Sequence, residues 1–452
     1  MSPPPARFGT DGVRGVANEE LTAELALALG RATARILPTP AFVVGRDTRR
    51  SGPLLQAALS AGLATEGADV VDLGVLPTPG VATVARARSL PGAMVSASHN
   101  PFADNGIKLF SQLGTKLAVE VEAEVERALQ AVLADPDGSP RRPTGHGVGR
   151  ISGDPEGAEL YRDTLRAALD GRTLGGLRVV VDCANGAASA FAPGVLRDLG
   201  AQVTVLHDAP DGANINEKCG STSPEELART VVESGAELGL ALDGDADRVI
   251  AVDQHGNIVD GDVLLALFAL DLAERGRLVG NTVVVTVMTN LGFRLAMEAR
   301  GIGVRETDVG DRHVLAALDA DGLTLGGEQS GHIIFRSLST TGDGVLTGLA
   351  LADLMRRAGR SLAELADGLV ERVPQVLVNV PIPQPERLTD CAEVWDAVAR
   401  AEAELGHEGR VLLRASGTEP LVRVMVEARS GADANAVAAQ LTGIVEAALG
   451  QV

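Results

Sequence analysis

Three carboxylates at alternate positions, Asp243, Asp245 and Asp247, lie in the run Asp-Gly-Asp-Ala-Asp-Arg248 between two strand-like segments, LGLAL and VIAVD. The run is therefore read as a tight loop. Like charges held that close repel by about 1 kcal/mol per pair even in water, and by more where solvent is excluded. A divalent cation relieves the repulsion, and three oxygen ligands with positions left open suit Mg2+. The spacing matches the start of a calcium EF-hand, but Arg248 stands where that loop needs Gly and Gln254 where it needs Glu. A solvated acidic turn is the alternative.

Three other runs carry reactive groups. Ser96-Ala-Ser98-His99-Asn100-Pro101 follows an apolar AMV segment, and Lys108 comes ten residues after Ser98. A hydroxyl becomes a nucleophile with a base, a lowered pKa or a metal, and His99 and Lys108 are close in sequence; an ordinary turn fits the same residues. Glu328, Gln329, Ser330 and His332 lie on a Gly-rich loop. A carboxylate, an amide and a hydroxyl match the hydroxyl pattern of a sugar, and the imidazole can move a proton near neutral pH. Arg414, Ser416, Gly417 and Thr418, followed by Arg423, combine small residues, hydroxyls and guanidiniums. Such a turn is either a nest for a phosphate dianion or a plain Ser-Gly turn.

The elements that must position these runs repeat three times. Apolar strands AFVVGRDTR, RVVVDCANG and NTVVVTVMTN each lead, through a helix-compatible stretch, to a second short strand: ADVVDLG, AQVTVL and IGVRET. A third apolar segment follows each, and one of the polar runs ends it: AMVSASHNP, LGLALDGDADR and LTLGGEQSGH. Strands alternating with helices indicate mixed or parallel sheets covered on both faces, with functional loops at the strand ends. The predicted class is α/β: three similar mixed-sheet domains and a smaller C-terminal α+β domain around a central cleft. Pro/Gly-rich breaks divide the chain into 1–152 with the Ser98 loop, 153–254 with the acidic loop, 255–370 with the Glu328 loop, and 371–452 with the phosphate turn.

Composition sets limits. The chain has 452 residues, 45% hydrophobic, enough for several domains with real cores. Acidic residues number 60 against 40 basic ones, a net charge of −20, which argues against general binding to nucleic acid or an anionic membrane. Aromatics at 2% are too few for base-stacking platforms. Cys183, Cys219 and Cys391 are widely spaced and never CxxC, so they suggest neither a disulfide framework nor a thiolate zinc site. The N-terminus lacks the pattern of a signal peptide, and no apolar run reaches the length of a membrane span. A soluble cytoplasmic protein is expected.

Taken together and in this order, SASHNP, DGDADR, GEQSGH and RASGTEPLVRV resemble the α-D-phosphohexomutase superfamily, along the whole chain. Phe8-Gly-Thr-Asp-Gly-Val-Arg14-Gly, NINEKCGST from Asn214, TDVGDRHV from Thr307, TTGDG from Thr340 and Gln329 are similar to the branch acting on glucosamine phosphates. The glucose/mannose branch typically has Met where Gln329 stands. The resemblance implies a phosphorylated Ser98 that joins the Asp243, Asp245 and Asp247 carboxylates around one Mg2+ per chain. It implies Arg14, His99 and Lys108 beside the phosphoserine, His332 as general acid/base, and sugar contacts from Arg248, Glu328, Gln329 and Ser330. Arg414, Ser416, Gly417, Thr418 and Arg423 would grip the phosphate not being transferred. The implied reaction interconverts glucosamine 6-phosphate and glucosamine 1-phosphate through a glucosamine 1,6-bisphosphate, feeding UDP-N-acetylglucosamine and cell-wall synthesis. Its implied partner is the small phosphosugar, with no nucleic acid and no membrane, in a homodimer. Activity on glucose or mannose phosphates, a phosphatase, and a non-catalytic phosphosugar sensor are the alternatives.

Overall fold

The computed structural model describes residues 12–135, 142–416 and 420–450. Gly417 and Thr418 of the phosphate turn, and Phe8 to Asp11 of the N-terminal motif, lie outside the described residues.

The first sheet contains β1 (Val13–Val16), β2 (Ala41–Arg46), β3 (Asp69–Val75), β4 (Gly92–Val95), β5 (Asp104–Phe110) and β6 (Ile151–Gly153), in the order β1-β5-β4-β2-β3-β6. The second contains β7 (Arg178–Asp182), β8 (Gln202–Leu206), β9 (Leu238–Leu242), β10 (Val249–Asp253) and β11 (Ile258–Val259), ordered β11-β10-β9-β7-β8. The third contains β12 (Thr282–Thr286), β13 (Gly303–Thr307), β14 (Leu325–Gly327) and β15 (Ile333–Phe335), ordered β13-β12-β14-β15.

One topology recurs in all three. The first strand of each repeat lies between the second and the third, parallel to both. The third strand then turns back into an antiparallel neighbour: β4 into β5, β9 into β10, β14 into β15. Each polar run occupies that turn, at residues 96–103, 243–248 and 328–332. The central strands read as unbroken apolar runs because both of their faces are covered; every residue of Leu238–Leu242 and Val249–Asp253 is buried.

One apolar core runs through all three units. Val43 and Met94 of the first sheet, Val179 and Leu240 of the second, and Val283 and Leu325 of the third belong to it. The C-terminal unit has a separate core built from Val380, Val424, Leu441 and their neighbours. Its sheet contains β16 (Gln375–Pro381), β17 (Arg410–Ala415) and β18 (Leu421–Glu427) in the order β16-β18-β17, covered by helices Ala392–Leu405 and Gly431–Leu449. One of the proline-rich breaks, residues 373–385 with four prolines, contains a strand. Pro374 precedes it and Pro381 ends it, on the sheet edge where a missing N–H is tolerated. Cys183, Cys219 and Cys391 are free thiols. No helix among the described residues is long and apolar enough to cross a membrane.

Candidate active site

The acidic loop is held from three directions by backbone hydrogen bonds. Thr78 N–H, at the start of helix Thr78–Arg88, donates to Asp245 O at 2.9 Å; Ala187 N–H donates to Gly244 O at 2.8 Å; Gly344 N–H, opening helix Gly344–Ala358, donates to Ala246 O at 2.9 Å. Each comes from a different unit, so the loop stands where the three units meet. Glycine is required here by contact: a Cβ on Gly244 would lie 2.6 Å from Ser98 O. Gly331 plays the same part between the second and third units, with φ +87° and Val249 O 2.0 Å from where its Cβ would stand.

Asp243, Asp245 and Asp247 are all buried, and one oxygen from each lies within 4.8 Å of the others. The Oδ1 atoms of Asp245 and Asp247 are buried without a hydrogen-bond partner. Burial and the two neighbouring carboxylates push the Asp243 pKa far up. For Asp247 burial acts in the same direction, but Lys108, His332 and Arg248 outweigh it and hold the carboxyl well below its usual range. Lys108 Nζ is 2.8 Å from Asp245 Oδ2 and 3.5 Å from Asp247 Oδ2. At an effective dielectric near 20, two such carboxylates repel by about 4 kcal/mol. Three converging carboxylates with unpartnered buried oxygens form a donor set that fits a hard divalent cation.

Ser98 joins this loop directly. Its hydroxyl donates to Asp243 Oδ2 at 2.5 Å and lies 3.4 Å from His99 Nδ1. Ser98 has φ 53°, in the left-handed region, a conformation that costs about 1–3 kcal/mol unless neighbours impose it. The neighbours do impose it. The Ser96 hydroxyl accepts from Ser98 N–H at 2.9 Å and donates to Asp47 Oδ2 at 2.7 Å. Fully buried Arg49 pairs with Asp47 at 2.9 Å and donates to the carbonyls of Ser98, Asn100, Pro101 and Asp104. Asn216, from the second unit, donates to Ser98 O at 2.9 Å and Asn100 O at 3.1 Å. Arg14 reaches Ala97 O and Asn100 Oδ1, both at 3.4 Å. Burial, with Arg248 and Arg14, pushes His99 down to about 4, so its imidazole is neutral at pH 7.

The third loop brings Glu328 under Gly310 N–H at 3.1 Å and beside the Ser330 hydroxyl at 3.3 Å, while Gln329 reaches Asp260 at 3.4 Å. His332 is buried. Its Nδ1 lies 3.7 Å from Asp247 Oδ2, and its Nε2 accepts from Gly342 N–H at 2.9 Å. Burial opposes its protonation, but Asp247, Asp311 and Glu328 outweigh that and raise its pKa. These contacts hold the ring against Asp247; the resemblance implies a general acid/base at this position.

In the fourth unit, Arg414 and Arg423 are register partners on β17 and β18. Like charges directly across a sheet are unfavourable without an anion to share. Burial and Arg423 together lower the Arg414 pKa. Ser416 N–H donates to Leu421 O at 2.9 Å.

The structure therefore assembles Ser98, His99, Lys108, Arg14, Arg248, the three aspartates and His332 around one point, with Glu328 and Ser330 on the adjoining loop. Sequence reasoning passed over Asp47, Arg49, Thr78 and Asn216. Thr78 donates its hydroxyl to Asp245 at 2.6 Å. The polar tail of AFVVGRDTR was the available signal for the first two, since a buried strand ending in Asp and Arg needs partners for both.

Models of the phosphoglucomutase/phosphomannomutase family match in chain order: alpha/beta/alpha domain I at residues 5–134, domain II at 159–256, domain III at 260–373 and the C-terminal domain at 377–444. The chain belongs to the phosphoglucomutase/phosphomannomutase family. It is 52% identical to the phosphoglucosamine mutase of Kineococcus radiotolerans, over 97% of this chain and 98% of that protein. It is 54% identical to the phosphoglucosamine mutase of Frankia alni, over 98% of each. Among solved structures, a phosphoglucomutase/phosphomannomutase family protein from Burkholderia thailandensis superposes with a TM-score of 0.78 at 27% identity, covering 97% of each chain. The N-acetylphosphoglucosamine mutase of Aspergillus fumigatus, solved with GlcNAc-6P and magnesium, shares the fold at 19% identity, with a TM-score of 0.70 over 98% of this chain and 96% of that one.

Proposed function

We propose that the chain reversibly converts glucosamine 6-phosphate to glucosamine 1-phosphate through phosphorylated Ser98 and a glucosamine 1,6-bisphosphate intermediate. The observation that carries this reading is the Ser98 hydroxyl 2.5 Å from Asp243 in the buried carboxylate loop. The phosphoglucosamine mutases, more than half identical along nearly the whole chain, supply the substrate.

Phospho-Ser98 gives its phosphoryl group to the free sugar hydroxyl, the bond to the serine oxygen breaking as the bond to the sugar oxygen forms, while the sugar hydroxyl gives up its proton and the departing serine oxygen takes one up. The bisphosphate reorients, and its other phosphoryl group returns to Ser98. Such transfer depends on in-line placement and charge neutralisation. When bound by Asp243, Asp245, Asp247 and the Ser98 group, Mg2+ supplies Lewis-acid withdrawal of charge from the phosphoryl group. The chain's own residues do the rest. Arg49, Asp47 and Asn216 fix the serine backbone, while Lys108, Arg14 and Arg248 offset negative charge. Neutral His99, 3.4 Å from Ser98 Oγ, is in reach of a proton at that oxygen. Glu328, Gln329 and Ser330 hold sugar hydroxyls, and Arg414, Ser416, Gly417, Thr418 and Arg423 hold the other phosphate. The enzyme works in the cytoplasm as a homodimer, a state that sedimentation of the purified chain would test.

The deciding experiment measures turnover of glucosamine, glucose and mannose 6-phosphates with Mg2+ and a trace of the matching bisphosphate. Fastest turnover of glucosamine 6-phosphate is expected; equal or faster turnover of glucose 6-phosphate overturns the substrate. Intact-mass analysis is expected to show one phosphate, absent from Ser98→Ala.

A further inference from the structure

A second set of metal-ligating side chains lies in the second unit, apart from the groups used above. Asp182 ends β7, His207 follows β8, and Cys219 precedes the short turn Gly220–Thr222. One donor atom from each lies within 4.8 Å of the others. Asp182 and Cys219 are fully buried and His207 is half-buried. His207 Nδ1 stands 3.1 Å from Asp182 Oδ1, yet that nitrogen is buried and makes no aligned hydrogen bond. A nitrogen, an oxygen and a thiol sulfur gathered this closely make a mixed donor set of the kind that ligates a common cation.

The groups behind these three are also in place. Asp182 Oδ1 accepts from Ala184 N–H at 2.9 Å and Oδ2 from Gly220 N–H at 2.8 Å, which fixes the carboxylate. On the far side of the imidazole, Nε2 lies 3.6 Å from Glu226 Oε2. A carboxylate on that side of the ring favours a proton on the distal nitrogen, the tautomer in which the other nitrogen ligates.

We propose that Asp182, His207 and Cys219 bind a borderline-soft divalent cation of the Zn2+ class, with water in the fourth position. One nitrogen, one sulfur and one oxygen donor favour Zn2+ over Mg2+, whereas the Asp243 loop offers oxygen alone. On binding, the Cys219 S–H bond breaks, the sulfur electron pair forms the metal–sulfur bond, and the proton leaves to solvent. The role is a staple. Asn216, three residues before Cys219, holds the Ser98 and Asn100 carbonyls. A cation joining His207 and Cys219 to the end of β7 therefore braces the Ser98 loop from behind. The wide spacing and the lack of CxxC hid this set in the sequence.

The test uses the full chain, stripped with a chelator, saturated with Mg2+, and titrated with Co2+ as a spectroscopic substitute for Zn2+. One equivalent is expected to give a near-ultraviolet thiolate-to-cobalt band that Zn2+ abolishes. The band should survive Asp245→Asn and Cys391→Ser and vanish in Cys219→Ser. His207→Gln, at a half-buried position, should keep the far-ultraviolet circular dichroism of the parent while weakening Co2+ binding at least about tenfold. No band in the parent chain, a band that persists in Cys219→Ser, or unchanged affinity in His207→Gln overturns the proposal. If Cys219→Ser does not fold, the His207→Gln titration decides.

Discussion

The acidic loop and the phosphate turn are both short polar runs at the ends of strands, but they are held in opposite ways. The acidic loop sits where three sheets converge, with Thr78, Ala187 and Gly344 each donating a backbone N–H to it and an apolar core shared by all three units beneath. The Arg414 turn belongs to a unit with its own core. That unit is tied back by a polar cluster: buried Glu427 accepts from Asn290 at 2.9 Å and Arg410 at 2.9 Å, and Arg410 also donates to Thr289 O at 2.8 Å. The contrast separates two tasks. Chemistry at phosphorus needs atoms fixed to fractions of an ångström, whereas under the proposed function the Arg414 turn would hold the spare phosphate of a bisphosphate that turns over, which a separately packed unit allows.

If the contrast is right, the largest effects fall at the converged loop. Asp245→Ala in saturating Mg2+ is expected to lower kcat by about 10³-fold or more, since a metal's charge stabilisation is worth several kcal/mol. Near-normal rates would return the loop to a plain acidic turn. Arg49→Met should come next. It leaves the Asp47 charge buried and unpaired and frees four carbonyls of the Ser98 loop, at a cost of about 3–5 kcal/mol in denaturant unfolding. Arg49→Lys should not restore the parent, because an ammonium cannot span those acceptors; full rescue by Lys would show that charge alone matters there.

Smaller and different in kind are the effects expected in the fourth unit. Arg423→Ala removes a charge-assisted contact of about 1.5–3 kcal/mol, so KM should rise by about 10–100-fold with kcat changed much less. A fall in kcat at constant KM would place Arg423 in the chemistry and erase the distinction. The smallest effect concerns the joint itself. Asp262 accepts from Asn290 N–H at 2.9 Å, and burial beside Asp260 pushes it up to about 7. Because the folded pKa lies above the unfolded one, the penalty of ionising Asp262 is fully present above pH 7 and is relieved as pH falls toward about 4. Asp262→Asn is therefore expected to raise Tm relative to the parent at pH 8, with the gain shrinking toward pH 5. A pH-independent difference would refute the assignment.

Much of this was legible in the chain. The three strand-helix-strand-helix-strand repeats appear as sheets of one topology, because apolar runs of β-branched residues must be covered on both faces and the polar runs can only stand at their ends. The types and order of Ser98, Asp243, Asp245, Asp247, Glu328 and Arg414 were enough to state the chemistry and the resemblance. Other features were not local, and pattern could not reveal them. The proline-bearing stretch contains β16 because an edge strand tolerates what a linker also tolerates. Arg49, Asp47, Thr78 and Asn216 matter through partners as far as 167 residues away, as between Thr78 and Asp245, and no periodicity reports such a distance. The contact between His332 and Asp247 is likewise beyond the reach of pattern. Residue types alone determined which reactions are available, since ligand and nucleophile chemistry belongs to the side chain. Which groups share a buried volume, and so which of them bears charge at pH 7, only the tertiary structure decided, because desolvation and Coulomb terms depend on neighbours that the sequence keeps far apart.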